Sequence, residues 1–204
     1  MKSVWRLGDP LLNHLVTLTP DDFEVVAGAA VALSGGEQMR VLCTGDEGGI
    51  DFYGRLAIRP PSPRVDAGIL YTTIVPARLL VLGQAKRFSR DAMIGRPEIQ
   101  KFKGQIDDCL DKYDENPLPP THRVPGSFYI RGEPCLGIFV TTASFTETAA
   151  GAVAASGVVL VSGVQLAQFL LMHNVGVVKE YGAPAFRTEA FAAWLASERQ
   201  RLVG

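Results

Sequence analysis

Two short polar segments, each at the edge of an apolar run, contain residue types that can hold a metal ion and a phosphate together. Gly48-Gly49-Ile50-Asp51 places an acid directly after a glycine turn, and Gln84-Ala85-Lys86 follows the apolar run Leu79-Leu80-Val81-Leu82. Residues two apart on a strand point to the same face, so we expect Gln84 and Lys86 to share one. The two segments predict metal-dependent chemistry on a phosphodiester.

Each residue of these segments has its own expected role in that chemistry. Asp51 is a hard oxygen ligand for Mg²⁺, for which Mn²⁺ is the expected substitute. Gln84 offers its side-chain oxygen to the metal, and Ala85 its main-chain carbonyl. Lys86 stabilises the charge that develops on phosphorus or orients the attacking water, while the metal polarises the phosphate and activates that water.

The same residues also have ordinary structural interpretations, which stay open at this point. Asp51 taken alone is typical of a turn carboxylate that caps local amides. Lys86 can extend to solvent beside a surface Gln84. The combination of the three side chains, rather than any one of them, favours the catalytic interpretation.

Composition limits the class of protein. The chain has 204 residues, of which 47% are apolar, and this suits one domain with a hydrophobic core. The net charge of −1 gives no global signal for nucleic acid, so a DNA-binding surface must be local. Cys43, Cys109 and Cys135 lack metal-type spacing and are expected to be reduced thiols. With no apolar segment long enough for a signal peptide or a membrane span, we expect a cytoplasmic protein.

Apolar periodicity and turn residues predict the elements that position the polar segments. Thr19 as N-cap and Pro20 at the first helical position begin a helix that ends before Gly35-Gly36. Further helices are predicted over 95–111, 146–155, 164–173 and 188–202. Strands are predicted over 39–44, 50–58, 68–73, 79–86, 136–141 and 158–161.

The order of these elements indicates an α/β fold in which a central mixed β-sheet is flanked by helices. The early strands follow one another as in hairpins, which indicates antiparallel pairing. The later strands are joined through helices, and such crossovers indicate parallel pairing.

The polar segments also resemble, in chain order, motifs of the Mrr group of nucleases, within the PD-(D/E)xK superfamily. Residues 47–51 resemble its "DGGID" turn, with Glu47 where Asp is common. Residues 84–88 resemble its "QxKry" strand, in which Gln84 replaces the usual second acid. Segments 95–104, 139–149 and 158–166 resemble the helix and strands that follow, so the likeness covers roughly residues 20–176.

This resemblance implies a restriction endonuclease-like core of the order α-β-β-β-α-β-α-β. It divides the chain into a lead-in over 1–18, an Mrr-like nuclease domain over 19–178 and a C-terminal helical extension over 179–204. The gap between the two motifs is long for the group, which implies an insertion at about 59–77. In that group a glutamate of the first helix supports the metal site, and Glu24 stands at this place.

The resemblance further implies that the partner is double-stranded DNA. Four basic residues close to the second motif are suited to following a DNA backbone: Arg87, Arg90, Lys101 and Lys103. Thr142 and Ser144 end a predicted strand and are candidates for bonds to phosphate oxygens. The alternatives are a solvated helix face for the basic residues and a helix cap for the hydroxyls.

Together these features predict a Mg-dependent deoxyribonuclease, acting in a restriction system for antiviral defence against foreign or modified DNA. Cutting both strands calls for a homodimer or a higher homo-oligomer. No separate target-reading domain is visible, so a sensor or recognition subunit is a further expected partner. Two alternatives remain: a catalytically weak DNA-binding or assembly module with the same fold, and a Holliday-junction or repair nuclease.

Overall fold

The computed structural model describes residues 7–42, 49–58, 77–115, 124–125, 128–130, 132–153 and 157–203. The helices in these ranges are α1 (Gly8–Thr17), α2 (Pro20–Leu33), α3 (Arg96–Glu115), α4 (Glu147–Val153), α5 (Gly163–Met172) and α6 (Thr188–Val203). The strands are β1 (Gly36–Val41), β2 (Phe52–Ile58), β3 (Ala77–Lys86), β4 (Met93–Ile94), β5 (Cys135–Thr141), β6 (Ser144–Phe145), β7 (Val158–Val161), β8 (Val177–Glu180) and β9 (Ala183–Phe186).

A five-stranded sheet of order β1-β2-β3-β5-β7 forms the centre of the fold. β1, β2 and β3 pair antiparallel, whereas β3, β5 and β7 pair parallel. The helix α3 connects β3 to β5 and α4 connects β5 to β7, as parallel neighbours require. The predicted α/β class with a central mixed sheet flanked by helices is confirmed.

The sheet is buried on both faces, so the apolar runs of the sequence form two separate cores. On the first face, Val81 and Phe52 pack with residues of α1, α2, α5 and α6. On the second face, Leu82 and Phe139 pack with Phe102 and other residues of α3. Val81 and Leu82 are consecutive and lie in different cores because alternate side chains of a strand point to opposite faces.

The start of α2 follows the sequence prediction. The Thr19 hydroxyl accepts a hydrogen bond from the Asp22 N–H at 3.1 Å, and Pro20 occupies the first helical position. This cap satisfies one of the amides that a helix N-terminus leaves without an internal partner. Because the cap sets the first residue of α2, it also sets the position of Glu24 in the helix.

Helix α1 was not predicted, because Gly8 and Pro10 are typical of loops. A proline is tolerated in the first turn of a helix, where its missing N–H breaks no helical bond. The apolar face of α1, with Leu11 and Leu15 fully buried, packs against α5. Tertiary burial therefore stabilises a helix that local sequence signals do not indicate.

The hairpin of β8 and β9 was also not predicted. Its second strand contains Pro184, which lowers strand propensity but is tolerated in a strand with a free edge. Residues 59–76 of the predicted insertion, the predicted strand 68–73 and Cys43 lie outside the described residues. The proposed domain boundaries stay predictions. No helix in the described part of the chain has the length and apolar character needed to cross a membrane.

Candidate active site

Asp51 lies at the entrance to β2, between its two neighbouring strands. The Leu42 N–H donates to the Asp51 carbonyl at 2.8 Å, and the Asp51 N–H donates to the Gly83 carbonyl at 2.8 Å. Its carboxylate oxygen Oδ2 accepts a hydrogen bond from the Ala85 N–H at 2.7 Å. Main-chain bonds on both sides thus fix the carboxylate against the middle residue of Gln84-Ala85-Lys86.

The carbonyl of Ala85 is directed to the same side of β3 as its N–H. This follows because the N–H and C=O of one strand residue point toward the same neighbouring strand. The ladder between β2 and β3 begins at the pair Phe52 and Gly83, two residues before Ala85. The Ala85 carbonyl therefore faces the Asp51 side at the margin of the sheet.

Gln84 is buried, with 5% of its surface exposed. Its amide nitrogen Nε2 donates to the Gly49 carbonyl at 2.6 Å and to the side-chain oxygen Oε1 of Gln105 at 3.3 Å. Because the nitrogen is directed at these two acceptors, the amide oxygen of Gln84 is turned away from them. That oxygen is the atom the sequence analysis assigned to the metal.

Glycine is favoured at position 49 by its backbone conformation, and its lack of a side chain leaves room for Gln105. Its φ of +65° lies in the left-handed region that side chains rarely adopt. A Cβ at this position would come within 1.8 Å of the Gln105 side chain. The glycine turn of the first motif is therefore in direct contact with α3, through a residue that the sequence analysis did not identify.

Lys86 is the last residue of β3 and is half-buried. Its carbonyl accepts a hydrogen bond from the Thr141 hydroxyl at 2.7 Å, which fixes the end of the strand. Burial raises the pKa of Asp51 to about 6, while the Ala85 N–H and the positive charge of Lys86 act in the opposite direction. The lysine is thus close enough for its charge to act on the carboxylate.

Thr142 is almost fully buried, and its hydroxyl is engaged by the segment that follows Lys86. The hydroxyl donates to the Phe88 carbonyl at 2.7 Å and accepts from the Phe88 N–H at 2.8 Å. A phosphate contact by Thr142, as predicted from the sequence, would require these bonds to break. The half-buried Ser144 lies in β6, opposite Met93.

Two of the four predicted DNA-contacting basic residues bind α1. Arg87 donates to the Val16 carbonyl at 2.8 Å. Arg90 donates to the Asn13 side-chain oxygen at 3.2 Å and forms an ion pair with Asp9. These contacts attach the chain segment after Lys86 to the helix that precedes α2.

The other two basic residues lie on α3. Lys101 is exposed, and Lys103 forms an ion pair with Asp107 at 2.8 Å, one helical turn away. An exposed pair of this kind contributes little to stability, so Lys103 can exchange Asp107 for a phosphate at low cost. Both lysines can contact an anion from this helix.

Glu24 is half-buried on α2, between Phe23 and Val25, whose side chains are fully buried on the first face of the sheet. Gln84 belongs to the second face, because it is two residues beyond Leu82 and contacts α3. To support the metal site, Glu24 would have to reach around the sheet margin from the opposite side. That role stays a prediction.

The donor set at the sheet margin suits a hard divalent cation. Asp51, Gln84 and Ala85 offer a carboxylate, an amide and a main-chain oxygen, the ligand types that Mg²⁺ prefers. A buried carboxylate that is costly to ionise, as the raised pKa of Asp51 indicates, gains from a cation beside it. Among the described residues, no group of three or more His, Cys, Asp and Glu side chains is placed to hold a metal, so a site at this margin would depend on one carboxylate with amide and main-chain oxygens.

The sequence analysis missed Gln105. The one sequence signal for it is its place on α3, between Phe102 and Ile106, where a polar residue borders the buried apolar face. It also missed Arg55, 8% exposed, which pairs with Glu133 at 3.1 Å and bonds Gln38. Arg55 and Glu133 lie far apart in the chain, and nothing local to either indicates the pairing.

Comparison with known proteins identifies the fold. No family model matches the chain, and no curated protein matches it. The chain is similar to the MspJI restriction endonuclease, which was solved in complex with a 27-mer oligonucleotide. The TM-score is 0.50 and the sequence identity is 21%, and the match covers 95% of this chain and 36% of that one. It is also similar to the DNA modification-dependent restriction endonuclease AspBHI, with a TM-score of 0.59 and 17% identity over 96% of this chain and 40% of that one.

The fold is therefore restriction endonuclease-like, as the sequence resemblance implied. The chain spans well under half the length of each of the two proteins. Neither comparison tests the assignment to the Mrr group or the roles of the individual residues, and these stay predictions.

Proposed function

We propose that this chain is a divalent-metal-dependent DNA endonuclease domain that hydrolyses phosphodiester bonds. The observation that carries the proposal is the hydrogen bond between the Asp51 carboxylate and the Ala85 N–H. It joins the two motifs at one sheet margin, in a fold that other DNA-cleaving proteins share. Three oxygen donors and one lysine are then available at that margin.

In the proposed mechanism Asp51, Gln84 and Ala85 hold Mg²⁺ or Mn²⁺ through their oxygens. The chemistry that such a cation supplies when bound is polarisation of the phosphate and activation of a water. Lys86 places its positive charge where negative charge develops on the phosphate, or orients the attacking water. The bonds from Thr141 and Thr142 to the main chain of Lys86 and Phe88 position that lysine.

The substrate is proposed to be duplex DNA, held in part by Lys101 and Lys103 on α3. Lys101 is exposed and Lys103 is half-buried, and both lie on the helix that carries Gln105, the contact of Gln84. Their charges can neutralise phosphates on either side of the cleaved bond. Arg87 contributes to the same positive field while it is bonded to the Val16 carbonyl, whereas the charge of Arg90 is offset by its ion pair with Asp9.

The biological role and the assembly are also proposals. Both structural neighbours are named restriction endonucleases, one of them DNA modification-dependent. We propose a similar role in defence against foreign or modified DNA. Since this chain covers under half of each neighbour, target reading is assigned to a further domain or subunit. Cleavage of both strands would require a second copy of the site.

A second candidate function is a DNA-binding module with little or no catalytic activity. Gln84 gives the site one carboxylate fewer than a pair of acids would, and burial already disfavours ionisation of Asp51. On a count of negative charge alone, both features would lower the affinity for a cation. The two functions differ in whether bound DNA is cut.

A plasmid-cleavage assay separates the candidates. The wild-type protein is incubated with supercoiled plasmid DNA, either unmodified or modified, in Mg²⁺, Mn²⁺ or EDTA. Lys86→Ala and the matched surface variant Lys179→Ala are assayed in the same way. The proposal predicts metal-dependent nicking that falls by about 10²–10³-fold in Lys86→Ala and is unchanged in Lys179→Ala. If wild type and Lys86→Ala are equally inert while both bind DNA, the binding-module alternative is correct. A four-way junction beside a linear duplex tests the junction-nuclease alternative.

A further inference from the structure

The contacts of Gln84 define what kind of side chain the site accepts at this position. Its Nε2 atom is directed at the main-chain carbonyl of Gly49, at 2.6 Å. A carbonyl oxygen can only accept a hydrogen bond, so the group that faces it must be a donor. An amide meets this requirement, whereas an ionised carboxylate has two acceptor oxygens and no donor.

The contact with Gln105 is also made by the donor nitrogen of Gln84. Gln105 presents its Oε1 atom to the same nitrogen at 3.3 Å, so both hydrogens of the Gln84 amide have acceptors. The amide end of the Gln105 side chain lies so close to Gly49 that a Cβ there would displace it. Three residues from the first motif, the second motif and α3 thus form one contact group, which we call the amide clamp: Gly49, Gln84 and Gln105.

The clamp determines which atom of Gln84 is free for a ligand. With Nε2 held by the Gly49 carbonyl, rotation of the amide by a half-turn would place its oxygen against that carbonyl oxygen, which can only accept a hydrogen bond. Gln84 is 5% exposed, so water cannot relieve that repulsion. The oxygen of Gln84 is therefore kept on the side away from the clamp.

We propose that Gln105 is a positioning residue that, with the Gly49 carbonyl, fixes the Gln84 amide oxygen for the metal and makes the site select an amide over a carboxylate at position 84. The inference rests on the proposed metal-dependent function. It departs from the simplest expectation, in which an acid at position 84 would strengthen the site by adding negative charge. Here an acid would face two acceptors in a buried pocket.

The first test is the affinity for Mn²⁺ in the absence of DNA, measured by isothermal titration calorimetry. Gln105→Ala removes one acceptor of the clamp, and Gln105→Glu keeps an acceptor oxygen at that place. Gln100→Ala, an exposed glutamine on the same helix, is the matched control. Groups that orient a metal ligand typically contribute 10–100-fold in metal affinity, so we expect about a tenfold loss in Gln105→Ala. Gln105→Glu should retain most of the affinity and Gln100→Ala all of it.

The second test replaces Gln84 itself. We expect Gln84→Glu to bind Mn²⁺ more weakly than wild type and to cleave plasmid more slowly at saturating metal, despite its added charge. Thermal unfolding and circular dichroism confirm that each variant is folded. If Gln84→Glu matches or exceeds wild type in both assays, amide selection is wrong. If Gln105→Ala binds Mn²⁺ like wild type, Gln105 does not position the ligand.

Failure of this inference differs from failure of the proposed function. If wild type binds Mn²⁺ and cuts DNA while Gln105→Ala and Gln84→Glu behave like it, only the amide clamp is overturned. If wild type neither binds Mn²⁺ nor cuts DNA, the proposed function fails and the clamp has no ligand to position.

Discussion

The carboxylate of Asp51 accepts a hydrogen bond from the main-chain N–H of Ala85 at 2.7 Å, across the margin where β2 and β3 begin and end. The two residues belong to motifs separated by more than 30 positions in the chain. Because of this contact, the two sequence motifs form one candidate site. The predictions below test the groups around this contact.

Asp51 should make the stability of the protein depend on pH. Burial raises its pKa from 3.8 to about 6, so the folded chain binds this proton more tightly than the unfolded chain. The contribution of Asp51 to the free energy of unfolding therefore falls as the pH rises from about 4 to above 6. Asp51→Asn keeps an oxygen for the Ala85 N–H and removes the charge.

We thus expect Asp51→Asn to be more stable than wild type above pH 6, by at most about 3 kcal/mol, and to lose this advantage near pH 4. Urea denaturation in EDTA at several pH values measures the difference. Asp91→Asn, at an exposed acid, is the matched control. A difference between Asp51→Asn and wild type that does not change with pH would contradict the assignment.

Thr142 should act through Phe88 and not through phosphate. Thr142→Val keeps the shape of the side chain but leaves the Phe88 N–H and carbonyl without their partner. We expect a loss of about 1–3 kcal/mol in the free energy of unfolding, together with slower cleavage because the chain after Lys86 is less well fixed. Chemical denaturation and plasmid cleavage measure the two effects.

Thr148→Val, at an exposed threonine, serves as the comparison for Thr142→Val and should be close to neutral. The opposite pattern, with stability unchanged and DNA binding weakened in Thr142→Val, would mean that the Thr142 hydroxyl contacts a phosphate.

Arg55 and Glu133 should stabilise the fold only as a pair. Their side chains are 10% and 6% exposed, and the guanidinium also lies 4.2 Å from the centre of the Phe128 ring. Glu133→Leu leaves a buried charge without its partner, which should cost about 3–5 kcal/mol. The double variant Arg55→Met/Glu133→Leu should cost much less than the sum of its single changes. Additive losses in a double-mutant cycle would show that the pair is not coupled.

Lys101 should contribute to DNA affinity through charge alone. Lys101→Ala is expected to weaken binding to all sequences equally and to reduce the slope of log K against log salt by about 1. Fluorescence anisotropy over a range of salt concentrations measures this slope. Lys179→Ala, on the hairpin of β8 and β9, should leave it unchanged. An equal effect of both changes would indicate non-specific attraction and not a binding surface on α3.

The sequence was sufficient to predict four strands of the sheet, β2, β3, β5 and β7, and the motif that lies on β3. The first strand begins at Gly36 and not at the predicted residue 39. Buried strands appear in the sequence as apolar runs. Gln84 and Lys86 are two residues apart, which is enough to predict that they share one face of a strand. The capped start of α2 was equally visible, because Thr19, Pro20 and Asp22 act locally. These features depend only on residues close together in the chain.

The remaining features depend on contacts that local sequence does not encode. Gln105 binds Gln84 from a separate helix, and Thr142 binds Phe88 across 54 positions. Arg87 is a plausible DNA contact by its charge, yet it bonds the Val16 carbonyl of a helix that was not predicted. Each of these contacts depends on how the helices pack on the sheet, and local sequence patterns do not reveal that packing.

The most direct test of the central claim is a crystal of the protein soaked in Mn²⁺ and measured for anomalous scattering. We predict a peak within coordination distance of an Asp51 carboxylate oxygen, with the Gln84 amide oxygen and the Ala85 carbonyl as further ligands. The peak should be absent from Asp51→Asn crystals soaked in the same way. Two results would contradict this claim. One is the absence of a peak at Asp51 in wild-type crystals at saturating Mn²⁺, and the other is a Mn²⁺ ion bound only by other residues.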